Sequence, residues 1–118
     1  MNDEFLQKWK SQIKRGTLSF IVLNELRDQE LYGYEIIESI KSRTSIEVAE
    51  GTLYPLMNRL KKNALLDSKW VEQESGIPRK YYFLTEEGKE MLAKMQAYWD
   101  ELEKSIKTYR YEVSENKV

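Results

Sequence analysis

The sequence predicts a mainly α-helical fold with one β-hairpin, and three observations carry that prediction. Apolar residues recur at helical spacing over most of the chain. One stretch, Leu65 to Leu84, turns instead to aromatic and β-branched residues around a Ser-Gly-Ile-Pro break. A repeat of apolar residues at alternating steps of three and four then runs from Leu92 to Val113. At 118 residues, 41% hydrophobic and 33% charged, the chain suits one modest domain that gains from a partner subunit.

The first helix is expected from about Asp3 to Arg27, with Phe5, Leu6, Trp9, Ile13, Phe20, Ile21, Leu23 and Leu26 at helical spacing. Gly16 falls inside it, where either a close helix contact or a slight bend would account for it. A short second helix is predicted over LYGYEIIESIKSR, in which Tyr34, Ile37 and Ile40 recur at intervals of three. The third begins near Ala49 or Glu50. At roughly 100° per residue, Leu53, Leu56, Met57 and Leu60 share one face and Gly51, Pro55, Asn58, Arg59 and Lys62 the other. Pro55 is expected in the first turn or so, and Asn63 is expected to supply a left-handed stop.

Strands are predicted from Leu65 to Glu74 and from Arg79 to Leu84, joined by the turn ESGIP. Tyr81, Tyr82, Phe83 and Leu84 alternate across the second strand; one set anchors the hairpin to the core, and the pattern leaves open which. Thr85 is placed to cap the final helix, with Glu86 and Glu87 at the positive end of its dipole. Along that helix Leu92, Met95, Trp99, Leu102, Ile106, Tyr109 and Val113 form a heptad seam, which predicts a two-fold homodimer, the alternative being a stripe that packs on its own domain. The expected division is residues 1–85 as the folded head and 86–118 as a dimerisation helix and tail.

Cysteine and histidine are both absent, which removes thiolate nucleophiles, imidazole bases and the usual ligands of zinc or copper. Adjacent acids such as Glu86 and Glu87 read as a helix start rather than a catalytic couple. No enzyme activity, metal or cofactor is expected. No apolar run exceeds four residues, as in Phe20 to Leu23, too short to span a bilayer, and MNDEFLQKWK lacks the features of a secretory signal, so a cytoplasmic protein is expected. The net charge of −1 argues weakly against a nucleic-acid partner. Distribution matters more, because Arg59, Lys61 and Lys62 follow one another without an intervening acid and Arg79 and Lys80 stand at the mouth of an aromatic strand.

Helix, short helix, helix with a cationic outer face, then a hairpin with a basic tip is the order of a winged helix-turn-helix. In such a module the third helix enters the DNA major groove and the wing reaches the neighbouring backbone or minor groove. The segments YGYEIIESI, EGTLYPLMNRLKKNALL and PRKYYFLTEEGKEML resemble the signature segments of the PadR family of bacterial transcriptional regulators. With the single long C-terminal helix, the chain resembles the family's short branch, which includes multidrug-sensing repressors. The resemblance implies a homodimer on a pseudo-palindromic double-stranded operator, released by a small effector.

Carried over by position, Thr52, Tyr54, Pro55 and Asn58 match the recognition-helix positions, while Arg59 and Lys62 match nearby polar sites within reach of phosphate. Asn58 could pair bidentately with adenine, or be an ordinary solvated helix residue. Arg79 and Lys80 stand where phosphates would be. Tyr34 resembles a family tyrosine near the DNA backbone, with a buried core tyrosine as the alternative.

Trp99 matches a tryptophan that lines a pore between subunits in drug-sensing relatives, with Met95 and Glu103 one turn either side and Ile13, Gly16, Ser19 and Phe20 opposite. An indole face beside a carboxylate would suit a planar aromatic compound, apolar or cationic, through stacking and cation-π attraction. The other reading of Trp99 is dimer core with no ligand. A winged-helix adaptor that binds protein rather than DNA is the alternative function, marked by a recognition face without cations.

Overall fold

The computed structural model describes residues 2–116, with side chains up to Arg110. In chain order the elements are α1 (Asp3–Glu25), β1 (Leu31–Tyr32), α2 (Gly33–Thr44), α3 (Glu50–Lys62), β2 (Leu66–Gln73), β3 (Gly76–Leu84) and α4 (Glu86–Asn116). The fold is mainly helical with a small antiparallel sheet, as the sequence predicts. It differs in having a third strand. Leu31 and Tyr32, expected at the start of the second helix, pair with Tyr82 and Tyr81 and make β3 the central strand of the order β1-β3-β2. The second helix therefore starts at Gly33, where the Glu35 carboxylate accepts a hydrogen bond from the Tyr32 N–H at 3.1 Å.

One core holds these elements together. Leu53, Leu56, Met57 and Leu60 of α3 are all buried, which is the face their spacing selects. They meet Leu18, Val22, Leu23 and Leu26 from α1 and its C-cap, Ile36 and Ile40 from α2, and Leu66, Tyr82 and Leu84 from the sheet. Tyr82 and Leu84 are thus the inward set of β3, while Tyr81 and Phe83 face the other way and are half-buried. Leu92 of α4 is also in this core at 5% exposure, so it is satisfied within its own protomer and has little surface left for the dimer seam that its spacing predicts. Glu25, the buried acid of α1, meets Arg43 of α2 at 3.5 Å.

Three local expectations are corrected. Pro55 is the sixth residue of α3, deeper than the first turn, and so denies the carbonyl of Gly51 its helical partner. Gly51 is exposed, so water can satisfy that carbonyl. The left-handed residue after α3 is Ala64, at φ 63°, not Asn63. Its geometry lets Leu65 N–H reach the Leu60 carbonyl at 3.0 Å, and Asn63 instead donates its side-chain amide to the Arg59 carbonyl at 2.9 Å.

The hairpin turn is also shorter than ESGIP. Gln73 pairs with Gly76, leaving Glu74 and Ser75 as the turn, and Gly76 takes φ 137°. Because Val71 pairs with Arg79, Ile77 and Pro78 together oppose Glu72 as a bulge, the place in a strand where proline is tolerated. Thr85 caps α4 as expected, its hydroxyl accepting the Gly88 N–H at 2.9 Å and donating to the Ala64 carbonyl. No break or close contact marks Gly16. Helix α1 runs through it, and a Cβ there would meet nothing within 4 Å.

Candidate nucleic-acid interface

Helix α3 offers an outer ridge of Gly51, Pro55 and Lys62, and every one of these residues is exposed. Along one side, a groove of about 500 Å³ separates α3 from the wing. Tyr54 and Asn58 from α3, Arg79 and Lys80 from β3, and Trp70 from β2 line it. The structure therefore brings together four of the residues proposed from sequence, on elements that the core fixes in place. Thr52 and Arg59 lie on the opposite edge of α3, against α1. Tyr34 is 57% exposed, which excludes the buried-core alternative, but it stands outside the wing groove.

Sequence reasoning missed Tyr32 and Trp70. Tyr32 supports Arg79, whose guanidinium lies 4.5 Å from the Tyr32 ring centroid, and the ring itself packs edge-on against Tyr81 at 5.5 Å. Trp70, 68% exposed, lies cross-strand from Lys80; the ammonium is 5.8 Å from the ring centroids of both Trp70 and Tyr82. Aromatic shelves thus hold both wing cations. Cross-strand pairing of an aromatic with a long cation was the signal that could have found Trp70.

Electrostatically the surface is unneutralised where it matters. Lys61 meets Asp67 at 3.5 Å and Lys69 meets Glu30 at 2.8 Å, whereas Arg59, Lys62, Arg79 and Lys80 have no ion-pair partner among the described residues. Burial, and then the neighbouring Tyr54, push the Tyr82 phenol above its ordinary value, so it stays neutral at the groove floor. Uncompensated cations, a side-chain amide and phenols on one convex helix and one projecting hairpin suit a polyanion with readable base edges.

A second site lies between α1 and α4. Trp99 is half-buried against Phe20, with ring centroids 5.6 Å apart, in an open apolar groove of about 570 Å³. Ile13, Gly16, Phe20 and Met95, named from the sequence as effector-site residues, line this groove together with Tyr98, Leu102 and Ile106. Ser19 and Glu103 do not. Glu103 lies roughly 40° round α4 from Trp99, away from the side that faces α1, and pairs with Lys107 at 3.3 Å. Of the remaining seam, Leu102, Ile106 and Tyr109 are exposed in the single chain, and the side chain of Val113 lies outside the described residues.

The family profile described as "Transcriptional regulator PadR-like family" matches residues 22–94, which span α2, α3, the wing and the first turns of α4. The chain belongs to that PadR-like family. A PadR family transcriptional regulator from Eggerthella lenta superposes with a TM-score of 0.81 at 36% identity, covering 91% of this chain and 93% of that one. A PadR-like transcription factor from Bacteroides fragilis is 40% identical with a TM-score of 0.73, covering 86% and 97% of the two chains. Uncharacterized protein X of Lysinibacillus sphaericus is 35% identical over 99 residues, 82% of this chain and 91% of its own length. As a PadR-like regulator the chain is a member of a DNA-binding, non-enzymatic family. No group of acids that could hold a metal occurs among the described residues, and no described helix is long and apolar enough to cross a membrane.

Proposed function

We propose that the protein is a cytoplasmic, dimeric repressor that binds a pseudo-palindromic operator and is released by a planar, apolar compound. The observation that carries the DNA reading is the convergence of Tyr54, Asn58, Arg79 and Lys80 on one groove beside an exposed recognition helix. Helix α3 enters the major groove, Asn58 and Tyr54 meet base edges, and Arg59, Lys62 and the wing cations meet phosphates. Two copies are needed for an inverted repeat, and the exposed apolar side of α4 supplies the contact: Leu102, Ile106 and Tyr109 remain uncovered in one chain. Pairing across this seam would enclose the open groove beside Trp99, giving an apolar chamber floored by Gly16 and walled by aromatic rings.

The resemblance to the multidrug-sensing branch supports the effector, as do the shape and lining of the groove. A flat ligand would stack on Trp99 in a site with few polar groups, and its binding would compete with the operator-bound arrangement of the two heads. The experiment is fluorescence titration with a panel of planar dyes, read alongside release of a labelled operator. Quenching that disappears in Trp99→Phe and parallels DNA release supports the site. No quenching across the panel would leave Trp99 as dimer core alone. Charge introduced at Ile106→Glu should shift the protein from dimer to monomer in sedimentation.

A further inference from the structure

On the edge of α3 away from the wing lies another groove, of about 380 Å³, formed with the middle of α1. Ser11, Lys14 and Arg15 line it from α1, and Thr52, Leu56 and Arg59 from α3. Its described lining has three cations, two hydroxyls and no carboxylate. Arg15 and Arg59 have no ion-pair partner among the described residues. Lys14 donates its ammonium to the Glu47 carbonyl at 2.7 Å, which keeps its charge on the groove wall without neutralising it. The Glu47 carboxylate is drawn off to Lys41 at 3.7 Å.

The helical wheels explain the charge. On α3, Thr52, Leu56 and Arg59 cluster on one flank of the exposed ridge and Tyr54 and Asn58 on the other, while Glu50 stands roughly 180° from Arg59. On α1, Ser11, Lys14 and Arg15 lie roughly opposite Ile13, Gly16 and Phe20, the side turned to α4. One face of α1 is therefore apolar and committed to α4, and the other presents cations beside the recognition helix.

We propose that this groove is a second phosphate-binding site, in which Arg15 and Arg59 take a backbone phosphate of the duplex across the recognition helix from the wing. The inference rests on the DNA-binding reading and extends it to α1. An α-helix is ~10–12 Å across and the major groove ~12 Å wide, so a helix seated there has a phosphate strand on each side. The wing cations serve one strand. The α1 groove serves the other, with planar guanidinium groups and the Ser11 and Thr52 hydroxyls as donors to phosphate oxygens.

Arg15→Ala, Arg15→Lys and Arg79→Ala would be compared with wild type by fluorescence anisotropy between 50 and 200 mM salt. The probes are a duplex selected from a random pool and an unrelated duplex of equal length. Thermal unfolding checks each fold. Arg15→Ala should weaken both duplexes by about the same factor, on the order of tenfold at low salt, and lower the salt slope by about 1 for each phosphate it no longer neutralises. Arg15→Lys should recover most of the slope, because it keeps the charge. If Arg15→Ala matches wild type on both duplexes while Arg79→Ala weakens them, the α1 site is wrong and the DNA reading stands. If wild type binds neither duplex, the DNA reading fails and this inference falls with it.

Discussion

Replacing both wing cations, as Arg79→Ala with Lys80→Ala, isolates what the wing contributes. Neither residue has an ion-pair partner among the described residues, so the change exposes no buried charge. It does remove the stacking of Arg79 on Tyr32 at 4.5 Å and the weaker placement of Lys80 over Trp70 and Tyr82, each 5.8 Å away. At exposed sites these interactions are worth ~0.5–1 kcal/mol each, so the variant should stay folded with a modestly lower melting temperature. Each neutralised phosphate contributes ~0.9 to the slope of log affinity against log salt. Losing two per protomer lowers the slope by ~1.8, or ~3.6 when both wings of a dimer engage. Over a fourfold rise from 50 to 200 mM salt, that is about 150-fold less salt sensitivity. The assay is anisotropy at several salt concentrations on one duplex. A folded variant with the wild-type slope would refute the placement of Arg79 and Lys80 on the backbone.

Other predictions follow from close approaches and from burial. A Cβ on Gly33 would lie 2.8 Å from Tyr54 Cζ and 2.9 Å from Cε1, so Gly33→Ala should swing the Tyr54 ring away from the wing groove. Operator affinity should fall on the order of tenfold while the circular dichroism melt moves little. Gly88→Ala is different, because its Cβ would overlap the Leu65 carbonyl, which already accepts the Thr85 N–H at 3.2 Å. Backbone cannot yield as a ring can, and urea titration should show a loss of about 1–3 kcal/mol. Tyr82 has a phenol pKa raised above its ordinary 10.0 by burial and by Tyr54, so its contribution to stability is full below pH 10 and lost as pH rises through the higher folded value. Tyr82→Phe should flatten that alkaline fall in chemical denaturation; an unchanged profile would mean the phenol is not protected by the fold.

What could be read from the sequence was whatever depends on local periodicity. Leu53, Leu56, Met57 and Leu60 declare their face by spacing alone, and the structure buries all of them. Thr85 before two acids declares a cap. By contrast β1 is two residues long and exists only because Tyr82 and Tyr81 of β3 offer Leu31 and Tyr32 an edge to pair with, a tertiary fact with no alternation behind it. The same gap hid Tyr32 and the stacking of Arg79. Asn63 is the better left-handed former, yet the chain puts Ala64 there because the closing bond to Leu60 fixes which residue turns. On α4 periodicity alone does not say which part of the stripe packs on its own domain: Leu92 is buried there, and Glu103 pairs with Lys107 away from the groove beside Trp99.

On the proposed reading, two copies of this chain read an inverted repeat through α3 and the wing. Selection from a random duplex pool tests it most directly, with the recovered sequence footprinted at single-nucleotide resolution. The expected product is an inverted repeat whose half-sites lie about one helical turn, ~34–36 Å, apart, each protected in one major groove and on its flanking backbone. Failure to enrich any sequence, with the protein folded and dimeric, would contradict it.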